Sequence, residues 1–244
     1  MIQSIQQGTF GSRLAIPTLL LLPFAVLTHR AGLLNFQMAI ALLALCFLVS
    51  FAIFICTIVA YIRNSEPEFR ANVRTTMFIS AVMPLLVIGL IVIGASSGGN
   101  VPRIHDISTD TIDVPQFVQG AVERGRDSNS LAVEPDVIQQ QLEAYPQIKT
   151  HQTALSTEAA FAHAANTAEQ LGWEIYNSDP SSGIIEASDT TRLWGFVDDV
   201  VIRIQADGEG SKIDLRSVSR VGQGDIGANA ARIEKFIALF TQSE

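Results

Sequence analysis

The run from Met38 to Ile62 holds no charged residue, and only Ser50 and Thr57 mildly interrupt its apolar character. A bilayer core is crossed by about 20 apolar residues at ~1.5 Å of rise each, so this run predicts a transmembrane helix with some room for tilt. A second apolar run, Thr75 to Ala95, is also long enough. Pro84 within it is tolerable because neighbouring helices can satisfy the freed carbonyl. The earliest run, Leu14 to Leu27, is shorter and contains Pro17 and Pro23. It fits a signal peptide, a short span or a re-entrant segment. Its polar exit, Thr28-His29-Arg30, lacks small residues at cleavage spacing, and we read it as an uncleaved, kinked first span. Residues 1–95 are therefore expected to form a three-span anchor, with spans at about 14–28, 38–62 and 75–95.

Positive charge orients these spans. Arg63, Arg70 and Arg74 lie between the second and third runs and Arg13 precedes the first, whereas Arg30 and Arg103 fall on the opposite side. This predicts a cytoplasmic N-terminus and a C-terminal domain outside the cytoplasm, which in a bacterium means an inner-membrane protein with a periplasmic domain. Of 16 basic and 24 acidic residues, only five Arg and two Glu precede Gly94. The polar remainder carries twice as many acidic as basic groups, which argues against a nucleic-acid partner. Cys46 and Cys56 both lie in the apolar run, so neither a disulfide framework nor a cysteine metal site is expected in the polar half.

Gly94 to Asn100 reads as a flexible exit, and residues 96–155 as a linker and extended arm of weak periodicity. One short helix is predicted at Pro135–Ala144, where proline suits the first turn. His105-Asp106-Ile107-Ser108-Thr109-Asp110 is dense in reactive groups. Its Asp/Ser/Asp spacing matches the opening of a calcium loop, but Thr111 stands where Gly is needed and Phe117 where Glu is needed. No metal site follows. Adjacency of His105, Asp106 and Ser108 is not triad geometry, and turns in an extended segment explain the same letters.

Residues 156–244 carry the strongest pattern. Ser156 can cap an amphipathic helix that Gly172 ends, with Phe161, Ala164, Ala165, Ala168 and Leu171 on its apolar face and His163 and Thr167 opposite. Trp173–Ser178 and Gly183–Ser188 read as strands joined by a turn. A hairpin turning at Asp207–Gly210 pairs Ala206 with Ser211, Ile204 with Ile213 and Ile202 with Leu215 on one face. The other face pairs Arg203 with Asp214 and Val201 with Arg216, with Asp199 diagonal to Arg216. A solvated lattice of ion pairs is the plain explanation of that face, and an anion or partner site the sharper one. Arg216→Ala would then remove binding and leave the domain folded.

Gly222-Gln223-Gly224-Asp225-Ile226-Gly227 spells a dinucleotide fingerprint. Its setting is wrong, because no parallel strand follows and Asp225 would repel a pyrophosphate. A tight corner with Asp225 capping a terminal helix accounts for it. That helix runs to about Phe240, burying Ile226, Ala230, Ile233, Ile237 and Phe240 and exposing Asn229, Arg232 and Glu234. The fold class is thus a three-span α-helical membrane anchor plus a soluble α+β domain. The domain has two layers, an antiparallel four-stranded sheet with two helices on one face, and an irregular N-terminal arm.

The strings His105–Asp110, Gly195–Ile204 and Asp214–Gly222, followed by Gly227–Ala230, resemble the bacterial and plastid family known as domain of unknown function 1499. The resemblance covers most of residues 100–243 and departs at Val114-Pro115, where two prolines are expected. It implies a domain boundary and shared motif positions, but no activity and no catalytic residues. It directs attention to His105, Asp106, Asp110, Asp198, Asp199, Arg203, Asp214, Arg216, Arg220 and Asn229.

Three functions compete. The first is a non-enzymatic, membrane-anchored periplasmic domain that binds a protein partner or a second copy, as an accessory subunit of an envelope complex. The second is a module for a lipid or small anion on Asp199, Arg203, Asp214, Arg216, Arg220 and Asn229. The third and weakest is a hydrolase built on His105, Asp106 and Asp110. None calls for a cofactor.

Overall fold

The computed structural model describes residues 2–97, 101–126, 128–192 and 194–243, with side chains from Ile16 to Gly89 in the helical part. Gly98-Gly99-Asn100 of the expected linker, and Leu193, lie outside these residues. The chain divides into two compact units, Met1–Gly99 and Asn100–Glu244.

The first unit is three helices: α1 (Ile2–Arg30), α2 (Phe36–Arg63) and α3 (Pro67–Ser97). Asn35 starts α2 by accepting from the Met38 N–H at 2.8 Å. Beyond the end of α2, Arg70 donates to the Asn64 carbonyl at 2.7 Å and lies over the Tyr61 ring. Small residues make the helix contacts: Ala25, Ala39, Cys46 and Ser50 are buried, and the Ser50 hydroxyl donates to Thr18 at 3.1 Å. Small side chains let helix backbones approach closely where lipid supplies no hydrophobic drive between helices. The outward surface is large and apolar, with Leu45, Leu48, Phe78 and Leu85 exposed.

Among the described residues two segments, Phe36–Arg63 and Pro67–Gly89, are long and apolar enough to cross a membrane. The chain is membrane-associated on that ground. The expected third span differs. Helix α1 is continuous through Pro17 and Pro23, but its described apolar stretch is only Ile16–Arg30. The predicted loose exit at Gly94 also differs, because α3 continues to Ser97.

The second unit begins with an arm holding β1 (Asp106–Ser108), α4 (Gly120–Glu123), α5 (Pro135–Ala144) and β2 (His151–Thr153). The core follows as α6 (Thr157–Gln170), β3 (Glu174–Asp179), β4 (Ile184–Thr190), β5 (Val197–Asp207), β6 (Gly210–Ser219) and α7 (Ala228–Gln242). The sheet is antiparallel, ordered β1-β6-β5-β4-β3, with β2 also on β6. The β5–β6 hairpin has the register its turn predicts, from Asp207 opposite Gly210 to Ile202 opposite Leu215. The four-stranded expectation is corrected to six strands. The two extra strands come from the arm and are three residues each, too short for alternation to mark them.

Those short strands share the outer edge of β6, β2 along Ser211–Ile213 and β1 along Arg216–Val218. The buried Gln141 side chain then takes the place of a further strand beside β1. Its amide accepts from the Ser108 N–H at 2.9 Å and donates to the Ser108 carbonyl at 2.6 Å. At Ser108 the edge is thereby closed to further pairing.

Helices α6 and α7 cover one sheet face, where Ile185, Ala187, Val200, Ile202, Ile213 and Leu215 meet Phe161, Ala164, Ile233, Phe236 and Phe240. Ser156 caps α6 by accepting from the Ala159 N–H, and Gly172 follows it at φ +80°. Two assignments on the helices change. Thr167 is buried, and half-buried His163 lies edge-on to Phe240, 3.0 Å from its carbonyl. On α7, Asn229 and Arg232 are inside, and Ile226, which precedes the helix, is outside, the reverse of the expectation. The stripe fails at the start of α7 because the sheet beneath it is polar: Ser217, Ser219 and Asp198 replace the aliphatic residues there.

Candidate functional site

Alternation along the strands sends Glu186 and Ser188 of β4, Asp199, Val201 and Arg203 of β5, and Asp214, Arg216 and Val218 of β6 to the face away from α6 and α7. A solvated lattice was the plain expectation for these charges. The structure corrects it: Glu186, Asp199, Asp214 and Arg216 are fully buried, and Arg203 nearly so. The cover is the arm. Its sequence lacks periodicity because it lies over the sheet as loops, making specific polar contacts rather than presenting an apolar stripe.

Ion pairs at three residues of the sheet fix it. Arg216 donates to both Asp106 carboxylate oxygens, at 3.0 and 2.7 Å, and to the carbonyls of Pro115 and Leu131, while Phe117 lies against its guanidinium. Arg203 is shared by Asp110, Asp113 and its cross-strand neighbour Asp214, at 3.1, 2.9 and 3.1 Å. Asp214 also accepts from Thr109 and Thr150. Asp199 takes two cations: Arg124 of the arm at 2.7 Å and Arg220 in a two-pronged contact at 2.9 and 2.8 Å. Between these pairs the Glu186 carboxylate accepts from the backbone N–H groups of Val118, Gln119 and Gly120 and from Asn177. It thereby holds the first turn of α4.

The local electrostatics follow from this packing. Burial pushes the Asp110 carboxyl up, but the N–H groups of Asp113 and Ile112 and the Arg203 guanidinium outweigh it and hold the group below its ordinary range. Burial, with the Asp199 and Glu186 carboxylates close by, pushes the Tyr176 phenol far above its usual value. Burial also works against the Arg124 charge, which Asp199 restores in part. Hydrogen bonding to Asp199 raises Arg220.

A second cluster lies on the helix side of the sheet beneath the start of α7. Arg232 joins Asp198 at 2.6 Å and Asp189 at 2.8 Å, and donates to Ser217. The Asn229 amide accepts from Ser217 and donates to Ser219 and to the His105 carbonyl. Asp225 shapes the adjoining corner, its carboxylate accepting from the N–H groups of Gly227 and Asn229 at 2.8 and 2.7 Å. The amides that would receive a pyrophosphate in a dinucleotide site are thus held by the chain's own side chain.

The structure therefore brings Asp106, Asp110, Asp199, Arg203, Asp214, Arg216 and Arg220 into one layer and sets Asn229 and Asp198 in the other. His105 enters through its backbone: its carbonyl accepts from the Ser219 N–H and from Asn229. Among the described residues no group of three or more His, Cys, Asp or Glu side chains is arranged to hold a metal ion. Sequence reasoning missed Arg124, Asp113, Glu186, Gln141 and Arg232. Glu186 was within reach, since pairing Ile185 with Ile202 places it on the charged face; Arg124 and Gln141 sit in aperiodic segments that mark no partner.

Helices of membrane-spanning length, joined to an antiparallel α+β domain with ion pairs packed between sheet and arm, define a membrane-associated protein of two units. The chain belongs to the family described as protein of unknown function (DUF1499), whose model matches residues 106–240, more than half its length. The match starts at β1, so it takes in the arm with the core and leaves out the membrane helices. A search of the curated proteins finds no match.

Two predictions follow from the layer. Arg216→Ala is not a neutral probe of binding, because it empties a fully buried position and leaves the largely covered Asp106 carboxylate without its partner; breaking a fully buried pair costs about 3–5 kcal/mol, an upper bound here. In denaturant unfolding of the full-length protein, Arg216→Met combined with Asp106→Leu is expected to cost less than either single change. Asp110 contributes stability above its ordinary pKa, which fades as pH falls through its lower folded value. The stability difference between wild type and Asp110→Asn should therefore be full at neutral pH, begin to fade near pH 3.8 and vanish only below the lower folded value, as followed by thermal unfolding across pH.

Proposed function

We propose that the protein is a non-enzymatic accessory subunit that binds a protein partner, anchored in the bacterial inner membrane with its C-terminal domain in the periplasm. In this reading α1 is a third span and the N-terminus is cytoplasmic, which places Arg63, Arg70 and Arg74 on the cytoplasmic side. The supporting observation is the division of chemistry over the arm. Its charged inner surface is spent on the sheet, while its outer surface carries Ile112, Val118 and Val122 largely exposed. Charges already paired within the fold are poor recruiters of an external anion, since a ligand must first displace Asp106, Asp110 or Asp199. Exposed apolar side chains on a domain that gains nothing from them suit a protein interface.

Copurification of the full-length protein in mild detergent tests this. A stoichiometric protein partner is expected with the wild type. Val118→Glu combined with Val122→Glu should release it while leaving the melting temperature within about 1–2 °C, because surface changes of this kind shift stability by only about ±0.5 kcal/mol. A bound small molecule with no protein partner would instead favour the anion or lipid module.

A further inference from the structure

The three arginines around the α2–α3 turn are used differently. Arg70 is spent within the helical unit, donating to the Asn64 carbonyl and lying over the Tyr61 ring. Arg63 ends α2 and is exposed. Arg74 is exposed too, and among the described residues it has neither an ion pair nor a hydrogen bond. It stands one residue before the apolar run that opens at Thr75, where a spanning helix passes from headgroups to hydrocarbon.

Unlike Arg63, Arg74 lines a cavity. Ala71, Arg74, Thr75, Phe78 and Ala81 recur at three- and four-residue spacing and form one stripe along α3. With Phe54 of α2 they line a cavity of about 620 Å³ within the helical unit. The lining is graded along the helix axis. Arg74 and Thr75 lie toward the turn, and Phe78 and Ala81 follow over ~10 Å of helical rise. Phe78 is 77 % exposed, so its ring forms an outer wall and is not packed between the helices.

The charge and the walls together select the occupant. An acyl chain alone would cover the apolar walls and leave the Arg74 guanidinium without an anion at the edge of the hydrocarbon. A free phosphate would pair with Arg74 and leave those walls uncovered. A phospholipid satisfies both, with a phosphate for the guanidinium and chains for the groove. An anionic headgroup suits the site better than a zwitterionic one, because it brings no cation of its own to compete with Arg74 for the phosphate.

We propose that this groove binds an anionic glycerophospholipid, with its phosphate on Arg74 and an acyl chain along Phe78 and Ala81 beside Phe54. The proposal rests on α2 and α3 being membrane helices. It depends neither on which side of the membrane the turn faces nor on a protein partner at the arm.

The test titrates the full-length protein in mild detergent with phosphatidylglycerol or with phosphatidylcholine of the same chains, and counts bound lipid by native mass spectrometry. One phosphatidylglycerol per chain is expected to bind about fivefold more tightly than phosphatidylcholine, the preference that one cation at a membrane surface confers. Arg74→Gln should remove that preference and Arg74→Lys should keep most of it. Arg63→Gln takes the same charge from the same turn outside the groove, and should leave the preference unchanged. Melting temperatures in detergent check that the helices stay packed in each variant. Equal binding of the two lipids by the wild type, or an equal loss in Arg63→Gln and Arg74→Gln, would overturn the proposal. Displacement of phosphatidylglycerol by glycerol phosphate would also overturn it, since the site would then be one for a free anion. If neither lipid binds and the protein stays monodisperse without detergent, the membrane assignment of α2 and α3 falls as well.

Discussion

The C-terminal domain depends on the pairing of buried charges of the sheet with opposite charges from a different part of the chain. A sheet strand that sends Arg216 and Asp214 inward, beside one sending Asp199 and Arg203, cannot leave those charges in a dry interior unpaired. Removing a charge from water costs several kcal/mol unless geometry and hydrogen bonds return it. The arm supplies that return through Asp106, Asp110, Asp113 and Arg124. Arm and sheet thus depend on each other: Arg203–Asp214 and Asp199–Arg220 pair within the core, and Asp106, Asp110, Asp113 and Arg124 of the arm complete the set, Asp106 being the carboxylate on Arg216.

This arrangement accounts for the division of labour between the two faces. Aliphatic residues against α6 and α7 provide non-directional burial, whereas the ionic face provides registry. Each guanidinium accepts only partners at particular positions and angles, so the irregular path from Asp106 to Leu131 is fixed at several points. Glu186 adds a fourth fixed point by gathering three successive backbone amides of the arm. A path without repeating secondary structure is held in this way without an apolar stripe.

Much of the core was legible in the sequence, because its determinants are local or periodic. The β5–β6 register followed from one turn, the α6 boundaries from Ser156 and Gly172, and α5 from Pro135. The membrane helices followed from length and apolarity, although the proline-containing first run carried too short an apolar stretch to be placed with the other two. The candidate site was legible only by half. Strand alternation collected Asp199, Arg203, Asp214 and Arg216 on one face. Burial of that face was invisible, because its cover lies 66 to 110 residues away in sequence, without periodicity. Asn229 and Arg232 were misplaced for a related reason. A helical stripe shows which residues align, but not that the sheet beneath turns polar at Ser217 and Ser219.

The central claim, that the arm is an integral layer of the domain held by buried charge, is tested most directly by native-state hydrogen exchange on the full-length protein. The N–H groups of Val118, Gln119 and Gly120 lie in no strand and are held by Glu186. The account predicts that they exchange with protection close to that of Ile202 and Leu215 in the central strands, opening only with the domain as a whole. Exchange at the rate of an open loop, while Ile202 and Leu215 stay protected, would contradict it.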